Sequence, residues 1–189
     1  MSGETDWLQA AEAMLREGLS SRDAELREDA PESKCRPVKI HRTGKAIFIS
    51  LNAVVDGINI KDRLFPLFSQ LKGVMGMCDY WILYEHEEGK KKTPYIFLVE
   101  LKSEKKDPIP QIENGKLLAE YFVAMVCHHK KLDPANVEFR ALVFSPVYRP
   151  IKPGLRPNKP IPYQKEGRLR IKTAFLSDTA PWNLSALCD

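Results

Sequence analysis

A chain of 189 residues with 43% hydrophobic content is long enough for one substantial core and has the composition of an ordinary globular protein. No apolar run approaches the roughly 20 residues a bilayer crossing needs, and the acidic start, Met1 to Asp6, lacks the basic and apolar regions of a secretion signal, so no membrane is expected and a cytoplasmic location is. The net charge of +4 is unevenly spread: residues 1–34 hold nine acidic and four basic side chains, leaving a basic body suited to polyphosphate.

From Asp6 to about Arg27, the residues Trp7, Ala11, Met14, Leu15, Gly18 and Leu19 recur at helical spacing behind a Thr5 or Ser2 cap, which predicts an amphipathic helix. Its acidic character suits it either to mask the basic body or to dock a protein partner. Ala30 to Pro37, with two prolines and mixed charge, reads as a linker, so the chain divides into an acidic leader, residues 1–34, and a domain, residues 35–189. Val38 to Val55 offers two strand-like runs split by Thr43-Gly44, read as a short hairpin. Lys61 to Leu71 spaces Leu64, Phe65, Leu67, Phe68 and Leu71 for a helix, which Pro66 confines to a first turn or a bend.

Two apolar segments follow, Cys78 to Tyr84 and Pro94 to Ser103, joined by a polar stretch containing Gly89, and they read as a hairpin. Antiparallel pairing about Gly89 and Lys90 sets Asp79 opposite Glu100, with Cβ atoms roughly 5 Å apart on one face. Two carboxylates so placed repel unless a cation lies between them. Lys102, two positions after Glu100, projects on the same face because strand side chains alternate with period two. Mg²⁺ takes oxygen ligands and keeps several waters, so Asp79, Glu100 and the Leu101 backbone carbonyl suit it, with Mn²⁺ as a substitute, and the lysine can orient a water. The run Ile96 to Leu101 is apolar on both alternating faces, which predicts a strand covered on both sides, where charges call for a site.

Asp79 followed about twenty residues later by Glu100-Leu101-Lys102, behind Ile96-Phe97-Leu98-Val99, resembles the signature of the PD-(D/E)xK nuclease superfamily. The resemblance covers about the middle third of the chain. It implies a restriction-endonuclease-like mixed β-sheet flanked by helices, metal binding by Asp79 and Glu100, service of the attacking water by Lys102, and a helix beside the site after the second strand. Cys78 stands where the signature has proline, and the helix lacks the close glutamine and tyrosine pair of the RecB-like branch, since Gln111 and Tyr121 are far apart. Homodimers are common in that superfamily, although no heptad seam marks an interface here.

Beyond the charged segment and Pro108 and Pro110, a helix is predicted from Gln111 to His129, with Leu118, Tyr121, Phe122, Met125 and Val126 on the face that packs the sheet. Val137 to Val147 and Gly167 to Phe175 read as further strands, completing an α/β domain with a mixed sheet. Between them Arg149 to Gln164 carries five prolines and the basic residues Arg149, Lys152, Arg156 and Lys159, an extended arm able to track a phosphate backbone. Arg168, Arg170 and Lys172 alternate onto one strand face beyond it. The cysteines Cys35, Cys78, Cys127 and Cys188 form no C-x-x-C pair, and the adjacent residues Cys127, His128 and His129 point about 100° apart on a helix, so a transition-metal site is not expected.

A further metal carboxylate is sought in Asp62 ahead of Glu12 and Glu17, because the Asp62 segment directly precedes the Asp79 strand. Gln111, Lys116, Ser103, Lys105 and Lys106 are candidates for contact with substrate phosphate, as are Arg149, Lys152, Arg156, Arg168 and Arg170. His41 could replace a carboxylate as a metal ligand, although a lone histidine on a strand is more often a surface residue. The expected function is a Mg²⁺-dependent nuclease acting on nucleic acid, DNA before RNA. Its rival is a non-catalytic nucleic-acid-binding or assembly subunit of the same fold, in which the triplet is a structural ion network.

Overall fold

The structure, a computed structural model, describes residues 6–22, 24–28, 35, 37–41, 44–60, 76–89, 91–102, 107–133, 136–146, 163–167, 169–175 and 181–188. Helix α1 (Trp7–Glu12) leads into β1 (Ser20–Ser21), β2 (Glu25–Leu26), β3 (Val38–His41), β4 (Ala46–Ser50), β5 (Val54–Val55) and β6 (Ile58–Asn59). Then come β7 (Tyr80–Glu88), β8 (Lys91–Leu101), α2 (Ile109–Lys130), β9 (Glu138–Ser145), β10 (Gln164–Glu166), β11 (Leu169–Phe175), β12 (Trp182–Asn183) and a 3₁₀ turn (Ser185–Leu187). Seven strands form one mixed sheet in the order β1-β4-β7-β8-β9-β11-β10. The β8/β9 and β9/β11 pairs are parallel and the others antiparallel, so the predicted α/β class with a mixed sheet holds. Among the described residues no helix is long and apolar enough to cross a membrane.

Alternation along the central strands sorts the core into two halves. Ile47, Ile49, Trp81, Leu83, Ile96, Leu98, Ala141 and Val143 share one cluster with residues of α1 and α2. Phe48, Ile82, Tyr84, Phe97, Val99, Leu142 and Phe144 share the other with Leu26, Val38, Ile40, Leu184 and Leu187. Those last residues belong to a three-stranded layer, β12-β3-β2, and the 3₁₀ turn. The sheet thus lies between helices and a smaller sheet, and Ile96 to Leu101 are buried throughout, as a strand covered on both faces requires.

The β7/β8 hairpin turns at Gly89, where φ is +61°, a conformation glycine adopts without penalty. Its register pairs Glu88 with Lys91 and Tyr80 with Val99, the register the sequence predicts. Parallel β8 and β9 need a crossover, and α2 supplies it.

Three expectations are corrected. The N-terminal helix ends at Glu12: Met14 and Leu15 reach the same core through turns in which their N–H groups bond Ala11 and Glu12 carbonyls, and the chain beyond enters β1 and β2. The segment from Val38 to Val55 is no hairpin, because β3 pairs with β2 and β12 while β4 pairs with β1 and β7. The burial patterns explain the split: β3 alternates buried and exposed, as a one-sided layer does, whereas Ala46 to Ile49 are buried on both faces. The face of α2 is also rotated from the expected one. Ile112, Gly115, Ala119, Val123, Val126 and Cys127 point inward, Tyr121 is 63% exposed, and Leu118 and Phe122 are only partly buried.

Small residues choose that face. A Cβ on Gly115 would run into Cys78 Sγ, with Cys78 Cβ 3.5 Å and its N 3.6 Å away, so only glycine lets α2 sit this close to the segment entering β7. Helical glycine normally costs about 1 kcal/mol relative to alanine. Here Gly115→Ala is expected to destabilise the fold by about 1–3 kcal/mol through overpacking, and adding Cys78→Ala should restore most of the loss; urea denaturation of the two single variants and the double variant measures this coupling.

Asp6 caps α1, its Oδ1 accepting from Leu8 N at 3.0 Å and Gln9 N at 3.2 Å, while Oδ2 accepts from Lys45 Nζ at 3.2 Å. Burial pushes its carboxyl up, but the Gln9 and Leu8 N–H groups and the Lys45 charge outweigh it and hold the group below its ordinary value of 3.8. A depressed carboxyl contributes stability above its unfolded value and loses it as pH falls through the folded one. Asp6→Ala should therefore cost about 1 kcal/mol at neutral pH. The gap from the unmodified protein should close on acidification below the ordinary carboxylate range, as read from denaturation midpoints across pH.

Candidate functional site

Asp79 and Glu100 lie where the β7/β8 ribbon ends. The ladder closes at Tyr80 and Val99, and Asp79 N still donates to Val99 O at 2.9 Å. Beyond that rung the Asp79 side chain replaces backbone: Oδ2 accepts the Leu101 N–H at 2.8 Å and Oδ1 accepts from Asn52 Nδ2 at 2.9 Å. On β8, alternation puts Glu100 in line with Ile96 and Leu98 on the helical side. Its Oε1 stands 2.6 Å from Lys102 Nζ, which also donates to Gln111 Oε1 on α2. Asp79 is 9% exposed, Glu100 1% and the Lys102 side chain 12%.

The first turns of α2 set this geometry. Gln111 O accepts from Cys78 N at 3.0 Å, Gln111 Nε2 reaches Met77 O at 3.5 Å, and Asn114 Nδ2 donates to Gly76 O at 2.8 Å. The helix thereby holds the three residues ahead of Asp79 while presenting Gln111 to Lys102. From the other side Lys102 N donates to Phe144 O at 2.9 Å, so β9 fixes the backbone of the lysine. The negative field extends to Cys35, whose thiol burial pushes up to about 12, with Glu28 and Asp79 adding to the shift. A raised thiol pKa disfavours the thiolate, the nucleophilic form, at Cys35.

The structure thus links Glu100, Lys102 and Gln111 in one set of contacts and Asp79, Asn52 and the Leu101 N–H in another, the two sets meeting at adjacent residues of β8. Lys116 instead pairs with Glu120 and lies 5.2 Å from the Phe139 ring centroid. Arg170 is exposed on β11, two strands from β8, and Lys172, expected beside it in a basic strip, is buried 4.5 Å over the Tyr163 ring. Glu12 binds Arg22 at 2.7 Å, and His41 is exposed on the smaller sheet. Asp62, Ser103, Lys105, Lys106, Arg149, Lys152, Arg156 and Arg168 lie outside the described residues. Asn52 and Asn114 were not singled out in the sequence, because an asparagine just past a strand, or in a helix, reads as an ordinary turn or surface residue.

Among the described residues no group of three or more His, Cys, Asp or Glu is placed to hold a metal. The oxygens of Asp79, Glu100 and Gln111 are hard donors, the type that suits Mg²⁺ or Mn²⁺ better than zinc, and each already faces a donor: Asp79 the Leu101 N–H and the Asn52 amide, Glu100 and Gln111 the Lys102 ammonium. A cavity of about 340 Å³ at the other end of β7, lined by Gly44, Tyr84, Glu85, His86 and Lys92, does not coincide with these groups. Its Lys92 pairs with Glu85 at 3.0 Å and Glu87 at 3.3 Å.

Removing Lys102 takes from the buried Glu100 carboxylate the ammonium 2.6 Å away. Lys102→Met is expected to cost about 3–5 kcal/mol, and Lys102→Met with Glu100→Gln to recover most of it, because the loss comes from the stranded charge rather than from the pair; chemical denaturation of both variants tests this. Comparison with known proteins offers no relative to this geometry: no family model matches the chain, and no curated protein or solved structure matches it significantly.

Proposed function

We propose that the chain is a metal-dependent nuclease of the PD-(D/E)xK kind, with a restriction-endonuclease-like fold, hydrolysing phosphodiester bonds of nucleic acid and favouring DNA. One observation carries the reading: Asp79, Glu100 and Lys102, all strongly withdrawn from water, end two paired strands beside a helix that supplies Gln111. Structural ion pairs rarely need that much burial, because exposed pairs avoid the desolvation cost.

In this reading Asp79, Glu100 and the Leu101 carbonyl would hold Mg²⁺, which would supply positive charge for the phosphoryl oxygens. Lys102, held by Glu100 and Gln111, donates to the nucleophilic water and keeps it in line with the leaving oxygen. Lys116 and Arg170, and the basic residues outside the described segments, serve as phosphate contacts that position the chain of nucleotides.

A second reading has one observation in its favour. Lys102 is already satisfied by Glu100 and Gln111, and both Asp79 oxygens already take N–H groups, a network that holds together without metal. That arrangement suits a non-catalytic nucleic-acid-binding or assembly subunit, which would be indifferent to Mg²⁺.

Incubation of the full chain with labelled single- and double-stranded DNA and RNA separates the two. The nuclease reading expects cleavage in Mg²⁺ or Mn²⁺, its loss in chelator, and a fall of about 100-fold or more in Asp79→Asn with nucleic-acid binding retained. Cleavage undiminished in Asp79→Asn, or none with any substrate and metal, rejects it.

A further inference from the structure

We propose that Asn52 is a positioning residue for Asp79, its side-chain amide holding the carboxylate in the orientation that receives a divalent cation. The role of the cation rests on the nuclease reading, while the hydrogen-bond geometry stands independently of it.

The last torsion of an aspartate is broad and roughly two-fold, so a carboxylate held at one oxygen swings. Asp79 is held at both: Leu101 N at Oδ2, 2.8 Å, and Asn52 Nδ2 at Oδ1, 2.9 Å. The first donor is backbone that β8 and β9 fix, and the second is a side chain that substitution can remove. Each carboxylate oxygen has two lone-pair directions, and one N–H on each is compatible with a cation on the same group.

Asn52 is itself held from several sides. Leu51 N, one residue earlier, donates to Asp79 O at 2.8 Å, which locks the end of β4 to the residue that Asn52 serves. Asn59 Nδ2 reaches Asn52 O at 3.4 Å and Ile60 N donates to Ala53 O at 3.0 Å, closing the β5/β6 hairpin against it. The hairpin turns through Asp56 at φ +53° and Gly57 at φ +73°, the pair of left-handed residues that a two-residue turn of this hand requires, and Arg16 pairs with Asp56 at its tip. An amide is the fitting group in this place. It donates to the carboxylate without adding charge, where an aspartate would repel Asp79 and an alanine would leave it loose.

Mn²⁺ binding to the full chain, followed by the resonance of the free ion and by melting temperature with and without Mn²⁺, tests the assignment in Asn52→Ala, Asn52→Asp and Asp79→Asn. Asn52→Ala should weaken Mn²⁺ binding about 10-fold or more, the usual effect of losing a group that orients a ligand. Asn52→Asp, nearly the same shape, should melt lower than the unmodified protein without metal. It should also gain a larger rise with Mn²⁺, because the ion relieves the new carboxylate pair. A purely structural asparagine would not produce that metal-dependent recovery.

Mn²⁺ binding as tight in Asn52→Ala as in the unmodified protein, with Asp79→Asn weakened, overturns the positioning role and leaves the metal reading standing. Equal binding by the unmodified protein and Asp79→Asn overturns the metal reading and this proposal with it. Should Asn52→Ala not fold, Asn52→Asp decides, and a Mn²⁺-dependent rise no larger than that of the unmodified protein overturns the assignment.

Discussion

Two carboxylates and an ammonium withdrawn from water at the end of the β7/β8 ribbon set the terms for everything packed around them. Moving charges into a weakly polar interior is costly, and only close counter-charges and directed hydrogen bonds offset it. The groups answering that demand come from four places in the chain: Asn52 after β4, the Leu101 N–H on β8, Gln111 in α2, and the backbone of Lys102 pinned by Phe144 on β9. β4, β8, β9 and α2 therefore each answer for some part of these charged groups.

The layers explain how the cluster stays at the end of the ribbon. One face of the sheet is closed by α1 and α2, the other by the β2-β3-β12 layer, and the strands between are apolar on both sides. At this end of the ribbon a carboxylate enters where the β7/β8 ladder stops. Asp79 marks that point, since its side chain takes a hydrogen bond that backbone would take one rung earlier. Gly115 lets the helix approach closely enough to hold the segment just ahead of it.

Much of this was legible in the sequence for local reasons. A polar turn with Gly89 between two apolar runs fixes the hairpin and its register as far as Tyr80 and Val99, just short of Asp79 and Glu100, and period-two alternation puts Lys102 with Glu100. The run Ile96 to Leu101, apolar on both faces, announced a covered strand. What failed depended on distant partners. The strand runs 38–41 and 46–50 look alike in isolation, yet one belongs to a half-solvated layer and the other to the middle of the large sheet. The helical face was misread because hydrophobicity favoured Tyr121 and Phe122, whereas the fit against Cys78 favours glycine and alanine. Asn52 was invisible for a similar reason: an amide past the end of a strand acquires meaning only when the fold brings a carboxylate to it.

The two kinds of pairing made by β8 also order its assembly. Its antiparallel partner is reached through a short turn, so the ribbon can zip in microseconds, as isolated hairpins do. Its parallel partner must wait until the whole of α2 has crossed, a contact of long sequence separation and correspondingly slow. A ribbon that closes first would bring Asp79 and Glu100 near each other while still hydrated, and the desolvation cost of these groups would then fall on the docking of α2.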